Sequence, residues 1–194
     1  AVNAKYDVAV VFEGMQYENR DMFINEPEKE QHKLLAKIYA INNLEVQLFK
    51  LEHDKRRRPI ARESIKLNAR NYASSTSEGR MFLALNAVNK LKPVKEILNR
   101  TNPVYINRGY YDRDEITYVL PDTYSIETAP KNISVVKPFG KFTMKVEIEG
   151  RNVKYTREVN LEDGTFPPET YRELVDFYQK IADADNSSIS LKRI

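Results

Sequence analysis

From Phe139 to Leu161 the chain alternates apolar and polar residues on both sides of a single turn. Phe142, Met144, Val146 and Ile148 alternate with Thr143, Lys145, Glu147 and Glu149; past Glu149-Gly150-Arg151-Asn152, the residues Val153, Tyr155, Val159 and Leu161 carry the pattern on. Side chains on a strand point to opposite faces with period two, so this pattern demands two strands with one face buried and one in water. Pro167-Pro168-Glu169 then opens a segment with Tyr171, Leu174, Val175, Tyr178, Ile181 and Ala182 at helical spacing. A helix is expected over 168–184, burying Leu174, Val175, Tyr178 and Ile181 against the sheet face of the two strands before it.

The rest of the chain extends this frame. Residues 6–12 read as a partly buried strand. Asn25 is placed to cap a helix over 26–41, with Glu28 completing a capping box and Asn42-Asn43 stopping it. Leu44, Val46, Leu48 and Leu51 suggest the inner side of a strand. Lys55-Arg56-Arg57-Arg58-Pro59 reads as the turn of a long hairpin, and Ile60 to Ala69 as its half-buried return. Short strands are expected at 81–85, 116–120, 124–128, 133–136 and near Ile189 and Leu191. Many short strands with two helices make the fold α+β, mainly antiparallel β, sandwich-like, with an N-terminal surface helix and a C-terminal helix on a sheet. The chain reads as one domain over 1–194, with 90–103 as the place to divide it.

At 194 residues such a chain buries a sizeable core, and a net charge of +3 is too small to imply nucleic acid. No apolar run is long enough to span a membrane. The absence of cysteine removes thiol nucleophiles, disulfides and Cys-ligated metal. No signal-peptide pattern opens the sequence, which reads as a mature or excised piece of something longer.

The candidates for chemistry are few. Asp112, Asp114 and Glu115 follow Tyr110-Tyr111, and paired carboxylates beside rings are what a glycosidase or a calcium site needs. The plainer expectation is a solvated turn, its charge balanced by Arg108 and Arg113. Tyr105, Tyr110 and Tyr111, with Tyr118 and Tyr124, could stack on sugars or peptides, so Tyr105, Tyr110, Tyr111, Asp112 and Asp114 form the candidate ligand-binding set. Glu28 and His32 share a helix face but supply at most two ligands, so no metal site is expected. The serines Ser74, Ser75, Ser77 and Ser134 sit in no nucleophile pattern, and no glycine-rich phosphate cradle is present. Neither a catalytic residue nor a cofactor is expected.

Several runs point to a relative. Asn102-Pro103-Val104, Gly109-Tyr110, Asp114-Glu115-Ile116, Leu120-Pro121 with Tyr124, Glu127 and Pro130, Phe139-Gly140-Lys141-Phe142, Val153-Lys154-Tyr155 with Arg157, Gly164-Thr165-Phe166-Pro167, Tyr171, and Asp176-Phe177-Tyr178 with Ala182-Asp183-Ala184-Asp185 follow one another. This order resembles the C-terminal β-rich domain of unknown function that follows the core of exported bacterial transglutaminase-like proteins. Gly14 to Arg20 and Asn68 to Asn86 resemble the segment just after that core. The resemblance implies a non-catalytic accessory domain, since the family's Cys-His-Asp triad lies in the core and this chain has no cysteine. It implies export to the periplasm or cell envelope, and a neighbouring domain of the same polypeptide as partner. The alternative is a stand-alone carbohydrate-binding module that takes a glycan, or a peptide, on its tyrosines.

Overall fold

The computed structural model describes residues 4–38, 44–55, 57, 59–69, 73–76, 79–86 and 89–194. The expected helix end at Ile41, its stop at Asn42-Asn43, Arg56 and Arg58 of the basic turn, and Ser77 lie outside the described residues. The order is β1 (Ala4–Gly14), α1 (Met15–Ile24), α2 (Glu28–Ile38), β2 (Leu44–Asp54), β3 (Ile60–Ala69), β4 (Ser74–Ser75), β5 (Arg80–Ala84), β6 (Val104–Ile106) and β7 (Tyr110–Val119). It continues with β8 (Tyr124–Thr128), β9 (Ile133–Lys137), β10 (Gly140–Glu149), β11 (Asn152–Leu161), β12 (Gly164–Phe166), α3 (Thr170–Asp185) and β13 (Ser188–Arg193).

The hairpin that dominates the sequence is β10–β11, paired from Gly140↔Leu161 to Glu149↔Asn152. Gly150 has φ 58, the left-handed first position that a tight turn between twisted strands requires. This hairpin lies inside a seven-stranded antiparallel sheet of order β2-β3-β1-β7-β11-β10-β9. Hydrogen-bonded pairing of β1 with β7 carries the sheet without a break from the N-terminal strands into the C-terminal ones. A four-stranded sheet β4-β5-β13-β8 and a small β12–β6 ladder complete the strands.

One face of the large sheet is apolar and covered. Val8, Val10 and Phe12, Ile65 and Leu67, Ile116 and Tyr118, Val153, Tyr155 and Val159, and Phe142 and Met144 all point into it. They share one core with Met81 and Leu83 of β5, Ile189 and Leu191 of β13, and Phe177 and Ile181 of α3. The Tyr118 hydroxyl donates to the Leu85 carbonyl at 2.5 Å, stitching the two sheets together. The opposite face, with Arg113, Glu115, Lys154, Glu158, Lys141 and Lys145, is open.

Three expectations are corrected. The N-terminal surface helix is two helices, and Asn25 is the C-cap of α1 rather than the opening of α2. Gln31 braces the corner: its Nε2 donates to the carbonyl of Phe23 at 3.1 Å, which also accepts the Glu26 N–H, and to that of Glu26 at 2.9 Å, so one side chain of α2 holds the end of α1 and the turn after it. In β2 a bulge between Val46 and Leu48 flips the alternation, so Leu48 faces water while Phe49 and Leu51 pack against the core. On α3 the buried stripe is rotated. Phe177 is fully buried, its ring edge-on to Phe139 at 5.4 Å, while Leu174, Val175 and Tyr178 are half-buried. Phe177 sits between Leu174 and Ile181 at the same helical spacing, so the stripe was continuous through it.

Gly140 carries a packing demand of its own. A Cβ there would stand 2.3 Å from the Asn160 carbonyl oxygen of the partner strand. Gly140→Ala must therefore push the β10–β11 pair apart, and it is expected to cost about 1–3 kcal/mol in urea denaturation. An unchanged midpoint would show that the strand end yields freely.

Candidate functional site

The chemistry of this chain lies inside the sheet. On β7 the inward positions are Tyr110, Asp112, Asp114, Ile116 and Tyr118; on β11 they are Val153, Tyr155, Arg157, Val159 and Leu161. Period two thus places two carboxylates and a guanidinium on a face that is otherwise apolar. The register sets Asp114 directly opposite Arg157. A charge is buried only at high cost unless paired and hydrogen-bonded, so the partners matter.

They are nearly complete. Arg157, with no exposed surface, donates from Nε to Asp185 Oδ1 at 2.7 Å and from Nη2 to Asp185 Oδ2 at 3.2 Å, a two-pronged grip on the last residue of α3. Its Nη1 reaches Asp114 Oδ2 at 3.2 Å. Asn86 Nδ2 donates to Asp185 Oδ1 at 2.8 Å, and the Leu91 backbone N–H donates to Oδ2 at 2.9 Å. Asn89 Nδ2 donates to Asp114 Oδ1 at 2.9 Å. The network therefore ties β7, β11, the end of α3 and the residues Asn86, Asn89 and Leu91 into one unit.

Asp112 stands apart. It is 5% exposed, and its Oδ1 has no hydrogen-bond partner among the described residues. Burial, and then the neighbouring Asp114 charge, push its carboxyl up to about 7. Burial likewise pushes Asp114 up, opposed by Arg157 beside it. One guanidinium faces three carboxyls here, and Asp112 is the one that receives no donor. The proton belongs on it. Along the same sheet face, Arg20 of α1 lies 4.3 Å over the Phe12 ring and 3.3 Å from the buried Glu63 carboxylate.

The candidate ligand-binding residues are not brought together. Asp112 and Asp114 lie mid-strand in the interior, which corrects the expectation of a solvated turn; the balancing cation is Arg157, not Arg108 or Arg113. Arg108 pairs with Glu18, and Arg113 with Glu158 and Glu115. Tyr110 is buried, and burial raises its hydroxyl far above the ordinary tyrosine range. Tyr111 lies on the open face, and Tyr105 is 68% exposed on β6 with its hydroxyl donating to Asn107 at 3.0 Å. Arg157, Asp185, Asn86 and Asn89 were missed. The signal existed for Arg157: it occupies an inward position of a strand otherwise apolar in that register. Asp185 and the two asparagines carry no such periodic mark.

Among the shallow depressions of the open face are ones of about 400 and 460 Å³. Lys141, Thr143 and Glu158 line both; Tyr111 and Asn160 border the first, and Ser134, Lys145, Lys154 and Thr156 the second. Among the described residues no group of three or more His, Cys, Asp or Glu is placed to hold a metal ion. No helix is long and apolar enough to cross a membrane.

A mainly antiparallel sheet closed by a terminal helix through a buried ion network defines the class: a β-rich α+β domain. Residues 79–191 match the family described as Domain of Unknown Function with solved-structure structure (DUF3858), more than half the chain, and the chain belongs to that family. Every member of the ion network falls inside the matched residues, whereas β1, α1, α2, β2 and β3 precede them. Among solved structures, that of a "putative protease" from Parabacteroides distasonis is similar with a TM-score of 0.44 and 19% identity, over 60% of this chain and 24% of that one. This chain thus spans about a quarter of that protein's length. No curated protein matches.

Proposed function

We propose that the chain is a non-catalytic accessory domain, a structural or docking module attached to a transglutaminase-like, protease-like region of an exported bacterial protein. The observation that carries this reading is the fate of the acidic pair. Asp114 is committed to Arg157 and Asn89, and Asp112 is enclosed behind Phe12 and Val159 at the matching positions of the flanking strands. Asp114, with Arg157 and Asp185, fixes the closing helix and the residues Asn86, Asn89 and Leu91 to the sheet; a glycosidase pair must instead flank an open cleft. The depressions of the open face are lined by Lys, Glu, Thr and Ser, the makings of a polar contact with a neighbouring domain of the same polypeptide.

The test separates the region upstream in the reading frame from this chain and mixes the two in trans. Association by calorimetry, weakened by Lys141→Glu with Thr143→Arg, is the expected result. Peptide or glycoside hydrolysis by the 194-residue chain alone, lost on Asp114→Asn in a folded variant, would overturn the reading.

A further inference from the structure

Among the described residues, large exposed apolar side chains stand singly along the chain, at Met22, Leu48, Phe82, Tyr105, Val119, Val136, Ile148 and Ile194, with one exception. Ile97 and Leu98 are consecutive and are 57% and 76% exposed. Single exposed apolar residues are ordinary; an adjacent pair held out into water is not. The pair sits at a turn whose next residue, Asn99, has φ 58, a left-handed conformation that asparagine tolerates better than most.

The turn is gripped from below. Tyr171, buried on α3, donates its hydroxyl to the Lys95 carbonyl at 2.8 Å, just before the tip. Just after the tip, the Arg100 guanidinium lies 4.5 Å over the same tyrosine ring. Arg100 also donates to the Asn102 and Pro103 carbonyls, each at 3.1 Å. One aromatic side chain thus fixes both legs of the turn, so the apolar tip is presented in a set geometry and loses little entropy on docking. Along the chain from 90 to 100 the charge is lopsided: Lys90, Lys92, Lys95 and Arg100 against Glu96.

We propose that the Ile97–Leu98 tip, with its flanking Lys92, Lys95 and Arg100, docks on an anionic lipid surface. Two aliphatic side chains reach the acyl boundary while the cations meet the headgroup phosphates, the division of labour of a peripheral membrane contact. Charge complementarity favours lipid over an apolar protein pocket, which has no use for the cations. The contact is weak and reversible, and it is independent of the accessory-domain reading.

The experiment is sedimentation of the 194-residue chain with vesicles of phosphatidylcholine alone and of equal parts phosphatidylcholine and phosphatidylglycerol. Binding to the anionic vesicles only, falling as salt rises, is expected. Ile97→Ser with Leu98→Ser should abolish it with an unchanged thermal midpoint, because both side chains are exposed. Lys92→Gln with Lys95→Gln should weaken it by roughly thirtyfold, about fivefold for each cation removed. Absence of binding to anionic vesicles overturns the proposal. So does binding that survives both double variants, or a tip variant that loses only a protein contact in the longer protein.

Discussion

Arg157→Met is expected to destabilise the domain by about 3–5 kcal/mol, because it leaves Asp114 and Asp185 buried without their cation. Both carboxylates and the guanidinium are fully buried, so water cannot take over the lost contacts. Arg157→Lys should recover little. An ammonium is a point charge and cannot present Nε and Nη2 to one carboxylate while Nη1 reaches another. Replacing all three residues, Arg157→Met with Asp114→Leu and Asp185→Leu, should recover only part of the loss: an apolar cluster of similar volume is often as stable as a buried ion triad, but here it leaves the Asn86 and Asn89 amides and the Leu91 N–H without their acceptors. Urea denaturation of the three variants reads these differences. A midpoint for Arg157→Met close to the parent's would mean that the network contributes no stability. Equal losses in the single and triple variants would mean instead that relief of the unpaired charge is offset by the donors of Asn86, Asn89 and Leu91 left without acceptors.

The network also marks the limit of what the sequence discloses. Strands β9, β10, β11 and β13 are legible because each alternates against a covered face, and periodicity reports burial of one face directly. The α3 stripe is legible to within one residue, and Phe177 was displaced because Val175 and Tyr178 fill the neighbouring rows almost as well. The bulge in β2 is invisible, since Gln47 gives no sign that it is the extra residue. The site is harder for a physical reason. Asp112 and Asp114 look like solvated acids as long as their compensating cation is sought nearby. The cation is 43 residues from Asp114, on a strand that becomes adjacent only when the sheet forms. Local sequence reports local faces; it does not report which two faces meet. The inward register of Arg157 was the available clue, and joined to that of Asp114 it would have predicted a buried pair.

Asp112→Asn is expected to stabilise the domain at neutral and alkaline pH while changing little near pH 4. The sign follows from linkage. In the unfolded chain this carboxyl ionises near its ordinary value of 3.8, whereas burial and Asp114 hold the folded-state proton up to about 7. Between those values the unfolded state sheds the proton and the folded state keeps it, so stability falls as pH rises through this window and levels off above it. Three units correspond to an upper bound of about 4 kcal/mol, and local rearrangement around Arg20 and Arg157 reduces this to on the order of 2 kcal/mol at pH 8. Asparagine cannot ionise, so the variant loses that part of the slope. Burial raises Asp114 as well, with Arg157 opposing, so some slope remains. Chemical denaturation at pH 4, 6 and 8 gives the comparison. Parallel curves for parent and variant would show that Asp112 is ionised throughout, with a donor for its Oδ1. A variant less stable at pH 8 would show that the Asp112 anion supports the fold, a role that the parent's pairing with Arg157 leaves to Asp114 and Asp185.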